Sequence, residues 1–173
     1  LDFMKDARDA TTAGELAKIF IDSQGGGDGK KDFFSQTGGM LAKGLMQLAK
    51  SSKYQDLPMV YAITQLPNLV KRLDWAVQRN DKQKLDPWIA ATLSNFLSSK
   101  ESEKTAASIK TTAEITFSGF IQNDLLPCMI GKSTIDLHLK PKQLLVMKLD
   151  DRRRSVIAPL IIMCMHLSIV ENL

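Results

Sequence analysis

Residues 32–50 read DFFSQTGGMLAKGLMQLAK, and this stretch indicates the fold class most directly. Asp32 is a residue type that favours the position just before a helix. The side chains that would share one helix face recur at steps of three and four residues, namely Phe34, Thr37, Leu41, Leu45 and Leu48. This spacing predicts an amphipathic helix that buries one face in a core.

Two adjacent glycines, Gly38 and Gly39, lie inside this predicted helix. Each costs about 1 kcal/mol relative to alanine in a helix interior. The sequence leaves three explanations open, which are close packing of a neighbouring helix, a kink, or a break in the helix.

Further helices are predicted on both sides of this stretch, because helix-start signals recur along the chain. Residues 23–31 are rich in glycine and charge and predict a surface loop. The start signals are Thr12 with Glu15, Pro58, Pro67, Asp86 with Pro87, and Ser98 with Glu101. An apolar stripe follows each signal. One helix is predicted from Asp86 to about Ser99, and a longer one runs on to about Asn123 with Ile109 and Phe117 facing inward. We therefore expect residues 1–123 to form an all-α domain.

The pattern changes after residue 124. Residues 133–139 alternate apolar and polar side chains, residues 143–149 are an almost continuous apolar run, and an apolar helix is predicted from about Ser155. The run at 143–149 predicts a strand buried on both faces, and such a strand followed directly by an apolar helix is typical of an α/β sheet. The predicted fold is therefore mainly α, with residues 124–173 forming a small strand, strand and helix fragment of another domain.

The composition excludes several classes of protein. Only two of the 173 residues are cysteines, in no metal-ligand or redox spacing, which argues against a disulfide-rich or structural zinc protein. Residues 156–170 are too short and too interrupted to span a bilayer, and we interpret them as a buried helix. The net charge of +4 permits an anionic partner without requiring one. A first residue of Leu1 indicates a segment of a longer protein.

One predicted helix carries a basic face with a single aromatic side chain. Lys71, Trp75 and Arg79 are spaced by four, and Arg72 lies beside them. Such a face could hold a phosphate backbone and stack on a base, although a solvated surface is the commoner role of this pattern. These four residues are candidate contacts for nucleic acid or a protein partner.

A second basic cluster, Arg152, Arg153 and Arg154, precedes the last predicted helix. Pairing with Asp150 and Asp151 is the simpler explanation, and contact with phosphate or a neighbouring subunit's nucleotide is the alternative. Asp150 and Asp151 also resemble the acids that hold magnesium after an apolar strand, but a strand-end turn is the commoner reading.

We find no catalytic, cofactor or metal site in the sequence. The glycine-rich stretch departs from a phosphate-binding loop, because Gln24 and Lys31 stand where glycine and a hydroxyl residue are required. His138 and His166 are isolated, and no nucleophile is paired with a base by spacing.

Four strings of the sequence resemble the conjugative coupling proteins of type IV secretion systems, the TraG/TraD-like ATPases. They are DFFSQTGGMLAKGLMQLAK at 32–50, LPNLVKRL at 66–73, DPWIAATLSNFLSSKESEKTAASIKTTAEITFSGFI at 86–121, and KQLLVMKLDDRRRSVIAPLI at 142–161. They form a pattern of helices and small motifs rather than a catalytic signature, and they are spread over residues 32–161.

The resemblance implies that residues 1–123 are an all-α domain inserted in a RecA-like motor domain, and that residues 124–173 return to that motor. It further implies a hexameric ATPase at the cytoplasmic face of the bacterial inner membrane that uses ATP and Mg²⁺. Such a protein passes DNA and relaxase substrates to the secretion channel. The nucleotide-binding residues of the family have no counterpart in this sequence, so no cofactor is expected in this chain.

Two functions follow as expectations. The first is a substrate-receiving helical domain that contacts DNA or a relaxase complex and performs no chemistry alone. The second is a helical protein-interaction or regulatory module without a nucleic-acid role, in which the basic residues only keep the surface soluble. The salt dependence of DNA binding separates the two, since phosphate contacts weaken as counterions are added.

Overall fold

The computed structural model describes residues 2, 4, 10–23, 33–82, 84–123, 125–132, 134–135, 142–151 and 154–170, and these are mainly helical. The helices are α1 (Ala10–Ser23), α2 (Phe33–Lys50), α3 (Leu57–Thr64), α4 (Leu69–Gln78), α5 (Pro87–Thr92), α6 (Ser94–Leu97), a 3-10 helix (Ser98–Glu101), α7 (Glu103–Ser118), α8 (Leu126–Met129) and α9 (Arg154–Val170). The predicted mainly α character is confirmed.

Helix α2 lies at the centre of the described fold and contacts α1, α3, α5, α6 and α7. Its buried side chains include Leu41, Leu45 and Met46. They join a core to which α6 contributes Phe96 and α7 contributes Phe117. The predicted apolar stripe of residues 32–50 therefore organises the helices around it.

The glycines of α2 allow neighbouring helices to approach closely. Helix α2 is continuous from Phe33 to Lys50, so Gly38 and Gly39 do not break it. A Cβ built on Gly38 would lie 2.6 Å from Thr112 Cγ2, and one built on Gly39 would lie 2.8 Å from Ile21 Cδ1. Close packing against α7 and α1 is thus the explanation that the structure supports.

Among the described residues, three helix starts have side-chain caps. Asp56 accepts a hydrogen bond from the Met59 amide at 3.1 Å, and Asp86 accepts one from the Trp88 amide at 2.8 Å. Ser102 rather than Ser98 caps α7. The predicted capping box at Thr12 is wrong, because α1 already begins at Ala10.

Several predicted bounds differ from the structure. Helix α4 begins two residues after Pro67, because Asn68 adopts a left-handed conformation with φ of 53°. The single helix predicted from Asp86 to about Ser99 divides at Leu93 into α5, α6 and the 3-10 helix. The long helix predicted to reach residue 123 ends at Ser118.

The described part of the chain contains no β-strand. Residues 143–150 have no regular secondary structure, and most of the predicted strand at 133–139 lies outside the described residues. The predicted apolar helix is present as α9, which begins at Arg154 and packs against α1. The side chains of Met147 and Leu149 also pack on the core, so residues after 124 contact the helical domain.

Candidate binding surface on α4

Helix α4 presents one apolar face to the core and one polar face to solvent. Leu69, Val70 and Leu73 are buried, and α4 packs against α6 and the 3-10 helix. Because residues three and four apart share a helix face, Lys71 and Trp75 lie on the opposite side. Both are exposed, as is Arg72.

Trp75 and Arg79 form a stacked pair at the end of α4. The Arg79 guanidinium carbon lies 4.4 Å from the centroid of the Trp75 ring, and 62% of Trp75 is exposed. Arg79 Nε also donates a hydrogen bond to Asp81 Oδ1 at 2.8 Å, and the two residues form an ion pair. This hydrogen bond raises the pKa of the Arg79 guanidinium above its ordinary value. Arg79 therefore covers part of one face of the Trp75 ring, while much of the ring stays accessible.

Acidic side chains neutralise part of the predicted basic face. Lys71 Nζ lies 3.6 Å from Glu103 Oε1, and both side chains are exposed. Lys100 Nζ lies 3.3 Å from Asp74 Oδ2, which brings a further cation to the surface. The exposed pair of Lys71 with Glu103 contributes at most about 1 kcal/mol, so another anion can compete for Lys71. Asp74 is half-buried and also accepts a hydrogen bond from Gln78 Nε2.

Arg72 differs from the other cations of this surface. Its Nε donates to the backbone oxygen of Pro67 at 2.9 Å, which holds the side chain against the start of α4. Within the described ranges Arg72 pairs with no carboxylate. Its remaining guanidinium donors therefore face solvent, in the fork geometry that suits phosphate or carboxylate.

We call this set the α4 surface: Lys71, Arg72, Trp75, Arg79 and Lys100, with their acidic partners Asp74, Asp81 and Glu103. The structure brings the four predicted residues of α4 together. It also adds three acids and Lys100, which sequence reasoning missed because Glu103 and Lys100 come from distant positions. Asp81 follows Arg79 by two residues, so that pair could have been expected.

The second predicted cluster is only partly described. Arg154 is exposed at the first position of α9, whereas Arg152 and Arg153 lie outside the described residues. Asp151 is exposed on the preceding turn. Arg154 belongs to α9, which packs against α1.

Trp88 is a further exposed aromatic that sequence reasoning did not single out. It is 81% exposed near the start of α5, just after the capping Asp86. Trp88 follows Pro87 in the first turn of α5. Side chains in the first turn of a helix have few neighbouring side chains, so this position could have indicated that Trp88 is exposed. Both tryptophans of the protein are thus exposed to solvent.

The chemistry available on the α4 surface is that of binding. Among the residues described here, no three His, Cys, Asp or Glu side chains come together as metal ligands would. In the same part of the chain, no helix combines the length and the apolar character that a bilayer crossing needs. The α4 surface offers the Trp75 ring for stacking and the Arg72 guanidinium for phosphate or carboxylate. It also offers Lys71 and Lys100, whose acidic partners another anion can replace.

No protein-family model, curated protein sequence or solved structure matches this chain.

Proposed function

We propose that this chain is the substrate-receiving helical domain of a conjugative coupling ATPase of type IV secretion systems, and that it contacts DNA or a relaxase complex. The resemblance of the four quoted strings to TraG/TraD-like proteins supports this proposal. The helical architecture of residues 10–118 agrees with the all-α domain that the resemblance implies. The α4 surface is the contact region that we propose.

The observation that carries the nucleic-acid part of this proposal is the exposed Trp75 ring beside Arg72 and Arg79. A base can stack on an accessible aromatic ring while neighbouring cations hold the phosphates. Arg72 has donors directed to solvent, Lys71 is held by an exposed ion pair, and Lys100 pairs with the half-buried Asp74. A polyanion offers several phosphates at once and can therefore replace Glu103 and Asp74.

The second part of the proposal concerns the domain to which residues 124–173 belong. We propose that they belong to a RecA-like motor domain, in which residues 143–149 pair with strands from elsewhere in the longer protein. A lone strand has nothing to pair with in the described residues, and small sheets are unstable without neighbours. In the longer protein, assembly into a hexamer, ATP and Mg²⁺ binding, and a place at the bacterial inner membrane follow from the same resemblance.

The proposal is tested by binding of a fluorescent single-stranded oligonucleotide, measured by fluorescence anisotropy. Lys71, Arg72 and Arg79 are replaced together by glutamine. The matched control replaces Lys18, Lys53 and Lys132 by glutamine. These three lysines are exposed outside the α4 surface, and both variants have the same net charge. We expect the first variant to lose affinity at least tenfold and the control to bind like the wild type. Equal affinities of the two variants would contradict a contact at α4.

A second function, a protein-interaction module without a nucleic-acid role, has support from a different observation. Three acids already pair with cations of the α4 surface, and two tryptophans are exposed. Tryptophan is a frequent anchor of protein interfaces. If the chain binds a relaxase complex but no oligonucleotide, the chain is a protein-interaction module and the proposed DNA contact is wrong.

A further inference from the structure

The turn that follows α4 places Asp81 beside Arg79. Helix α4 ends at Gln78, and Arg79 continues in an extended conformation with φ of −61° and ψ of 148°. The Asp81 backbone oxygen accepts a hydrogen bond from the Lys84 amide at 3.0 Å, as in a turn. This bond does not involve the Asp81 side chain, so a substitution at this position leaves it in place.

The Asp81 carboxylate holds the Arg79 guanidinium through two donors. Arg79 Nε donates to Asp81 Oδ1 at 2.8 Å, and Arg79 Nη2 donates to Asp81 Oδ2. Two such bonds between a guanidinium and a carboxylate fix the plane of the guanidinium as well as its position. The held guanidinium lies over the Trp75 ring, and only 21% of the Arg79 side chain is exposed.

This arrangement prepares the Trp75 ring for stacking on one side. Arg79 covers part of one face, while most of the ring is exposed. A base can stack on the face that Arg79 leaves open. A side chain that is already held before binding loses less conformational freedom when a ligand contacts it, so the affinity is higher.

We propose that Asp81 is a positioning residue of the α4 surface, which acts through Arg79 to hold the Trp75 ring ready for a base of a single strand. This inference rests on the proposed function. It gives Asp81 the opposite role to Glu103, which competes with a phosphate for Lys71. Removing Asp81 should therefore weaken binding, although a negative charge is lost.

Indole fluorescence tests this role, because Trp88→Phe leaves Trp75 as the only tryptophan of the protein. An unlabelled oligothymidylate is titrated in this background, and the affinity and the quenching of Trp75 emission are measured. Asp81→Ala should bind roughly two- to tenfold more weakly than Glu15→Ala, the range expected when one side chain must become ordered on binding. It should also quench less at saturation. Glu15→Ala is the charge-matched control, on the exposed side of α1.

Asp81→Glu keeps the charge and both acceptor oxygens, and it should recover the affinity and the quenching. The inference is wrong if Asp81→Ala binds as tightly as Glu15→Ala, if its quenching is unchanged, or if Asp81→Glu is as weak as Asp81→Ala. In these cases the proposed DNA contact stands. If the Trp88→Phe protein binds no oligothymidylate, the proposed function fails and this inference fails with it. Far-ultraviolet circular dichroism establishes that each variant retains its helices.

Discussion

Gly44 of α2 lies directly against Leu93, the residue at which α5 ends and α6 begins. A Cβ built on Gly44 would be 2.4 Å from Leu93 Cδ2 and 2.7 Å from Leu93 Cγ. Leu93 is itself buried, so its side chain has little freedom to withdraw. Helix α2 thus accepts the α5–α6 junction at a distance that only glycine permits.

Gly44→Ala is therefore expected to destabilise the protein. The added methyl group overpacks the contact with Leu93, at a cost of about 1–3 kcal/mol. Gly14→Ala is the matched control, because its Cβ would meet only the flexible Lys43 side chain at 3.5 Å. Alanine there should stabilise α1 by up to about 1 kcal/mol. Urea unfolding measures both, and equal effects of the two substitutions would contradict the close approach at Gly44.

Asp56 joins two distant parts of the described chain. Its Oδ1 caps α3, and its Oδ2 accepts a hydrogen bond from the Gly131 amide at 3.3 Å. Asp56→Ala removes both bonds at a buried site, so we expect a loss of about 2–3 kcal/mol. Asp86→Ala removes an exposed cap and should cost about 1 kcal/mol. Thermal unfolding compares the two; an equal loss would show that the contact with Gly131 contributes nothing.

Trp75→Ala should weaken binding of a single-stranded oligonucleotide without lowering stability. Loss of base stacking costs about 1–3 kcal/mol, which corresponds to at least a fivefold loss of affinity. Trp88→Ala is the control, because Trp88 lies on α5 outside the α4 surface. Anisotropy titrations measure both affinities. An oligonucleotide affinity that falls only for Trp88→Ala would place the contact on α5 instead.

Removing two acids of the α4 surface should strengthen oligonucleotide binding. Glu103→Gln and Asp74→Asn together release Lys71 and Lys100, and each exposed pair is worth about 0.2–1 kcal/mol. For the two pairs together, we expect a gain in affinity of roughly two- to thirtyfold. Glu15→Gln with Glu114→Gln removes the same two negative charges, releases Lys110 on α7 and is the control. The same gain in the control would show that only net charge matters.

Local signals in the sequence predicted much of the helical fold. Asp86 before Pro87 marked α5 correctly, and the buried stripe of α7 includes Ile109 and Phe117 as expected. These features depend on neighbours in the chain, which a sequence pattern contains. The start of α4 was misplaced because the left-handed turn at Asn68 is a conformational choice that Pro67 does not specify.

Contacts between distant residues were beyond the reach of the sequence pattern. Four residues of the α4 surface, Lys71, Arg72, Trp75 and Arg79, were found because their spacing is that of one helix. The pairing of Lys71 with Glu103 depends instead on how α4 packs near the start of α7. The sequence also left the role of Gly38 open, because no sequence pattern shows that Thr112 of α7 lies beside Gly38. Residues 143–149 were expected to form a strand covered on both faces, but only one side contacts the core.

The salt dependence of oligonucleotide binding tests the central claim most directly, because it counts phosphate contacts. The slope of log affinity against log salt should fall by about 2 when Lys71, Arg72 and Arg79 are replaced by glutamine, since each contact to a single strand contributes about 0.7. The control at Lys18, Lys53 and Lys132 should keep the wild-type slope. Identical slopes for all three proteins, or no measurable binding by the wild type, would contradict a DNA contact at the α4 surface.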